Sequence, residues 1–410
     1  MKNCSIIAKW FESTICVITL LCLLIIAAPA SAESYYGKPY LTWQNDPSTT
    51  MTITWHSASV PEVVEVQFDA TSAPATYQHR ARGASWQIPG LPGGRYINSV
   101  ELTGLEPGIV YHFKINLGDN MSPEYAFRTI PDSSEPIRFA IGGDTLATMI
   151  FRELLAAIAP WNPQFLVIGG DLAYADGDFA KVERWNKWFE EWHANDTTAD
   201  GRLIPLVLGI GNHETNKLEG TWEQRAPFFF GFFPQGGAPY FAHRFSANLG
   251  MIILDSGHLV AHKEQRGFLE EHLSAYADLP FRVAVYHVPF YPSHRDYDGG
   301  SSVAGRTHWL PLFDKYKLSV GFENHDHTFK RTKRLRNNEI NPDGVLYVGD
   351  GNAGVRPRTV NEGLWYMEKI SNESHLWIVD VTSRDMHLRA VNRQGEVFDE
   401  ARIETPLVAE

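Results

Sequence analysis

The chain has 410 residues, three cysteines and a formal net charge of −12 at pH 7. An acidic chain is a poor partner for nucleic acid or for anionic membranes, so an anionic small substrate needs a locally cationic site, which metal ions can provide. Cys4, Cys16 and Cys22 all fall in the first 32 residues, so the rest of the chain has no thiolate nucleophile, no zinc-thiolate site and no disulfide, including one that would link a dimer.

Those first 32 residues read as an export signal. Lys2 and Lys9 give a basic start, residues 15–28 are apolar, and Ala30-Ser31-Ala32 is a small-residue cleavage site. The apolar run is short for a bilayer span. An uncleaved anchor and a lipoprotein are the rival readings, the second weakened because Cys22 follows Leu20-Leu21 rather than a small residue. The expectation is a secreted or periplasmic protein with no membrane span after processing. Its remaining 378 residues (410 less 32) suggest two domains and carry −13, because Lys2, Lys9 and Glu12 leave with the signal.

Residues 33–131 are patterned as all β. Short alternating runs such as Thr50-Met51-Thr52-Ile53-Thr54-Trp55 and Val63-Val64-Glu65-Val66-Gln67-Phe68 are separated by Pro, Gly and Ser turns. The stretch from Leu102 through Gly104 and Pro107-Gly108 to Phe113 places a turn before a strand. It resembles the corresponding segment of fibronectin type III domains, and Phe127-Arg128-Thr129 resembles their closing strand. A β-sandwich follows, with Trp43 and Trp55 in its core.

Residues 131–136 form a polar linker bounded by Pro131 and Pro136, after which the grammar changes to strand, loop and helix. Strands are expected at 137–141, 164–168, 203–208, 251–254, 282–286 and 318–322, with a β-rich C-terminal part at 345–348 and 376–379. A helix is expected over 149–159, and a second carries Trp185, Trp188, Phe189 and Trp192 at helical spacing, a packing stripe. This is an α/β sheet domain.

Five of its apolar strands end in groups suited to holding a metal. The ends read Phe139-Ala-Ile-Gly-Gly-Asp144, Leu166-Val-Ile-Gly-Gly-Asp171-Leu-Ala-Tyr174, Leu208-Gly-Ile-Gly-Asn212-His213-Glu214, Val283-Ala-Val-Tyr-His287 and Phe322-Glu-Asn-His325-Asp-His327. Ligands of open α/β sheets sit outside the carboxyl ends of the strands. A single Asp after a strand is ordinary turn chemistry, and a single His is commonly structural. Five such ends in one domain point instead to a metal centre.

The order Asp, Gly-Asp-x-x-Tyr, Gly-Asn-His-Glu, Val-x-x-His, His-x-His resembles the purple acid phosphatases, within the calcineurin-like metallophosphoesterases. The resemblance covers most of the chain after the signal. It implies an α/β metallophosphoesterase sandwich of mixed sheets flanked by helices, residues 137–405, preceded by the all-β fibronectin type III-like sandwich. It implies a dinuclear centre of Fe(III) and a divalent metal (Zn, Mn or Fe), with Asp144, Asp171, Tyr174 and His327 on the iron. Asp171 would bridge to the divalent ion, held by Asn212, His287 and His325. The implied activity is acid phosphatase hydrolysis of small phosphate monoesters by a metal-bound hydroxide. His213 would contact the phosphate or protonate the leaving oxygen, with a structural role as its alternative, and His294 and Arg295 would add a second acid or an anion contact.

Tyr174 discriminates within the superfamily. The first motif of the wider group is Asp-x-His, whose histidine is a ligand; here that position is Leu146, and the phenol of Tyr174 replaces the lost donor unless it is a core tyrosine. Phenolate is a hard anionic oxygen that suits Fe(III). Further departures are Leu146 for a usual glycine, Asn324 for the glycine before His-x-His, and Phe329-Lys330 for a usual Tyr-Glu. Glu214 is expected beside the site rather than in the chemistry, and the basic run Lys330, Arg331, Lys333, Arg334, Arg336 as a solvated strand edge. Residues 222–233, rich in phenylalanine, are either a pocket wall or ordinary packing. Competing functions are a phosphodiesterase or nucleotide pyrophosphatase using the same site, and a surface binding protein with a relict catalytic domain.

Overall fold

The computed structural model describes residues 35–405 apart from residue 75. The export signal and all three cysteines lie outside the described residues. The described residues cluster as one unit, and no described helix is long and apolar enough to cross a membrane.

The alternating runs near the start pair into two antiparallel four-stranded sheets. One orders the strands Tyr40–Thr42, Met51–Ser57, Tyr96–Leu102 and Ala84–Trp86; the other orders His79–Arg82, Glu65–Asp69, Val110–Ile115 and Tyr125–Arg128. Inward residues such as Ile53, Trp55, Val66 and Phe113 fill the space between them. Trp43 does a different job from Trp55: its ring lies edge-on to Phe165 and Phe245, so it packs the sandwich against the α/β part.

The α/β part consists of two sheets face to face. A six-stranded sheet orders Leu206–Leu208, Leu166–Ile168, Ile137–Gly142, His375–Val381, Asp385–Asn392 and Val397–Glu404, the first three parallel. A seven-stranded sheet orders Phe241–Phe245, Leu249–Ile253, Phe281–Val285, Val320–Phe322, Leu346–Gly349, Phe329–Thr332 and Met367–Ser371, with a parallel centre. Phe139, Ile141 and Val167 of one meet Val283, Val285 and Phe322 of the other, sealing a dry layer. Short parallel strands buried on both faces read as continuous apolar runs, which is why they were legible as strands.

Helices cover the outer faces. Met149–Ile158 is capped by Thr148, whose hydroxyl accepts from the Phe151 amide, and it buries Phe151, Leu154, Leu155 and Ile158. Val182–Trp192 buries its full stripe of Trp185, Trp188, Phe189 and Trp192. The phenylalanine-rich segment forms two short helices, Trp222–Arg225 and Pro227–Phe232, and its role is packing. Phe228, Phe232 and Phe233 contact Trp185. From the sandwich, the Tyr40 hydroxyl donates to the Phe232 carbonyl (2.6 Å) and the Trp86 indole to the Gly231 carbonyl (2.9 Å). Arg95 lies over the Phe232 and Tyr35 rings. The segment is therefore mortar between sandwich and helices.

Candidate metal centre and active site

The carboxyl ends of five strands converge, three from the six-stranded sheet and two from the seven-stranded one. The turns that follow force the backbone into the left-handed region at Asp144 (φ 56°), Asp171 (56°), Tyr174 (59°), His325 (78°) and His327 (59°). Non-glycine residues adopt that region reluctantly, and several together mark a site where geometry outranks local comfort.

Two groups of side chains form. In one, the Tyr174 hydroxyl lies 3.0 Å from Asp144 Oδ1 and 3.2 Å from His327 Nε2, and His327 Nε2 lies 3.1 Å from the same carboxylate oxygen. In the other, Asp171 Oδ2, His287 Nε2 and His325 Nδ1 face one another, at 3.2 Å for Asp171–His287 and 3.0 Å for His287–His325. The Gly169 carbonyl accepts from His287 Nδ1 at 3.1 Å, so Nε2 points into the cluster, where it holds either a proton or a cation. Asn212 Oδ1 is buried with no hydrogen-bond partner, and buried Asp171 Oδ2 has only the His287 ring beside it. Buried oxygens so placed beside imidazole nitrogens fit a bound cation, because each otherwise carries a desolvation cost.

The electrostatics agree. Burial alone would depress the His287 imidazole, but the charges of Asp171 and Asp144 raise it to about 10. Burial, then the carboxylates of Asp144 and Asp171, push the Tyr174 phenol far above its ordinary range, so a phenolate there requires a highly charged cation. All seven expected ligand positions thus reach one place, with hard oxygen donors on one side and imidazoles on the other.

Carboxylates beyond the ligands shape the site. Asp176 Oδ1 accepts from His213 Nδ1, and the His213 ring lies 4.2 Å from that of Tyr174. Nothing in the sequence pattern pointed to Asp176, so this partner was missed. Glu214 is buried and takes the backbone N–H groups of Asp171, Leu172 and Gly211 at 2.7, 2.8 and 2.8 Å. It is a strut between two ligand turns; burial and then Asp171 push its carboxyl up to about 8.

Asp326, between the two histidines of His-x-His, accepts the amides of Ser293, His294 and Arg295 through Oδ2. It fastens that loop over the site. Within it the His294 ring is held by the Thr359 carbonyl, 2.6 Å from Nδ1. Arg295 lines a cavity with Asn212, His258 and His325, its Nε 3.4 Å from Asp326 Oδ1. His258, three residues beyond Asp255, was not singled out either. Burial and neighbouring His287 lower it to about 3.

Two departures noted in the sequence find explanations. Asn324 donates to the Tyr286 carbonyl (3.1 Å) and wedges between the sheets, where a Cβ on Gly143 or Gly169 would lie 2.3 or 2.0 Å from its amide. The asparagine is accommodated because both residues facing it are glycines. Lys330 is not a solvated edge residue: it is fully buried, donating to Glu323 (2.6 Å) and the Tyr291 carbonyl (2.7 Å) with Asp350 at 3.1 Å. Burial opposes its charge, but Asp350 and Glu323 keep it protonated.

Comparison with known proteins adds independent information. Residues 37–129 match the family model described as the purple acid phosphatase N-terminal domain, and residues 144–329 match that of the calcineurin-like phosphoesterases. A probable purple acid phosphatase 20 of Arabidopsis thaliana is 27% identical over 278 residues, covering 63% of this chain and 60% of the plant protein. Purple acid phosphatase 18 of the same plant is 24% identical over 403 residues, covering 90% and 85%. The chain thus spans about three fifths of the first of these relatives and most of the second. Among solved structures, the purple acid phosphatase PPD1 of yellow lupin (Lupinus luteus) superposes with a TM-score of 0.75 at 16% identity, covering 89% of this chain and 74% of that one, a shared fold.

Proposed function

We propose that this chain, which belongs to the purple acid phosphatase family of calcineurin-like phosphoesterases, is an exported phosphatase that hydrolyses small phosphate monoesters at a site holding Fe(III) and a divalent metal (Zn, Mn or Fe). In this reading Asp144, Tyr174 and His327 hold the trivalent ion, Asn212, His287 and His325 the divalent one, and Asp171 both. The bound cations supply Lewis acidity, activating water and offsetting phosphoryl charge.

The remaining steps belong to the protein. Asp176 accepts from His213 Nδ1, which turns Nε2 outward. A protonated His213 then hands a proton to the departing alkoxide, general acid catalysis by an oriented imidazole. Arg295 contacts phosphoryl oxygens but transfers no proton, since its guanidinium stays charged. His213 is the positioned acid of this reading.

The observation that carries the reading is the Tyr174 hydroxyl between Asp144 Oδ1 and His327 Nε2. Phenolate on Fe(III) absorbs visible light by charge transfer, which carboxylate and imidazole ligands do not. The oxidised protein is expected to be pink to violet, and Tyr174→Phe to bleach it while iron remains on Asp144, Asp171 and His327. A colourless, fully active protein with two zinc or manganese ions would overturn the iron assignment and leave a metal-dependent phosphoesterase. Parallel assays with p-nitrophenyl phosphate and bis(p-nitrophenyl) phosphate test the monoester preference.

A further inference from the structure

The strands Phe281–Val285 and Val320–Phe322 deliver His287 and His325 at their carboxyl ends. Their opposite ends open on a cavity of about 460 Å³ lined by Arg282, Lys317, Arg334 and Arg336. A five-residue strand separates it from the metal centre by roughly 17 Å. None of these four cations forms an ion pair among the described residues. In the same basic run Lys330 is held by Glu323 and Asp350 and Arg331 by Asp399, while Lys333 reaches the Trp365 carbonyl. Arg334 and Arg336 alone in that run face the cavity.

The cavity's guanidinium groups have no carboxylate at ion-pair distance among the described residues, although Asp278, Asp343 and Asp314 act on Arg282, Arg334 and Arg336 from further away. Arg282 gives Nη1 to the Tyr276 and Ala277 carbonyls, and its buried Nε has no partner. Arg334 reaches only the Gly344 carbonyl, at 3.5 Å. Burial lowers the pKa of both guanidinium groups. Asp343 and Glu404 also line the wall, which therefore carries two more cations than carboxylates (four less two), while Asp278 and Asp314 face Arg282 and Arg336 from outside it. Partly buried charge without a counter-ion is costly, and guanidinium forks match phosphate oxygens in pairs. An excess of this kind stands out in a chain of net charge −12.

We infer that this cavity is a second, non-catalytic binding site for a phosphate-class oxyanion, either free or carried on a lipid headgroup. Calorimetric titration of the metal-loaded protein with inorganic pyrophosphate tests it, while inhibition of p-nitrophenyl phosphate hydrolysis follows the catalytic centre separately. Arg334→Gln combined with Arg336→Gln is expected to abolish one binding step or weaken it at least tenfold, at unchanged inhibition and with turnover within twofold. Arg282 is left intact because it holds two backbone carbonyls. Sedimentation with phosphatidylglycerol vesicles separates the two sources: binding to vesicles, lost in the double variant, without a pyrophosphate step identifies the lipid. Should the double variant fail to fold, Lys317→Glu at the exposed rim makes the same test by charge reversal. Pyrophosphate and vesicle binding that these variants leave unchanged, or no binding of either probe, would overturn the inference.

Discussion

The two sheets contribute opposite chemistry to the centre. The six-stranded sheet delivers only oxygen donors: Asp144 after Ile137–Gly142, Asp171 and Tyr174 after Leu166–Ile168, and Asn212 after Leu206–Leu208. The seven-stranded sheet delivers only imidazoles: His287 after Phe281–Val285, and His325 and His327 after Val320–Phe322. Neither sheet holds a complete set for either group of ligands. The dry layer between them, from Phe139 to Phe322, is therefore part of the site, because it fixes the distance between carboxylates and rings.

The comparison is broken most completely at Asp171, the carboxylate facing His287 across the seam. Asp171→Ala is expected to lose both metals and all measurable turnover. Retention of two metals per chain with near-normal rates, by elemental analysis and assay, would refute the shared-ligand role. His213 lies on the oxygen side but touches no metal in this reading, so His213→Ala should keep metal content near two and lower turnover by roughly 10²–10⁴-fold. The deficit should grow with the basicity of the leaving group; equal losses across leaving groups would reduce His213 to a phosphate contact.

The seam itself is tested at Asn324. Gly169→Ala places a methyl 2.0 Å from the Asn324 amide and should destabilise the fold by about 1–3 kcal/mol. Adding Asn324→Gly should recover part of that loss, although it gives up the bond to the Tyr286 carbonyl. Additive losses in denaturant unfolding would mean that the two residues do not oppose each other.

The smallest expected effect is on pH, and it spreads over both sheets. Burial lowers His243, His262 and His375 to about 4. As pH falls below the ordinary histidine value of about 6.5, the unfolded chain gains these protons and the folded chain does not, so stability declines between about 6.5 and 4. Asp255 and Glu214, pushed up to about 6 and about 8 by burial, work the other way, but His258, lowered to about 3, joins the three histidines against them. The melting temperature should be lower at pH 4.5 than at pH 7. An unchanged value would show that the rings protonate in place.

Much of the architecture was legible because short buried strands and an aromatic helical stripe write themselves into local pattern. The seven ligand candidates were legible for a related reason: each follows an apolar strand by two to six residues, so the chemistry is stated in the chain next to the element that carries it. Contacts between distant segments were not legible. Nothing local distinguishes Asp176 as the partner of His213, Asp326 as the clamp on the loop of His294 and Arg295, or Lys330 as a buried cation instead of an edge residue. Those roles depend on which turn meets which across the seam, and on burial that turns an ordinary charge into one requiring a counter-charge. The sequence by itself determined the donors and their order along the chain. Only the packing of one sheet on the other decided which of them meet, which loop covers them and which charges lie out of water.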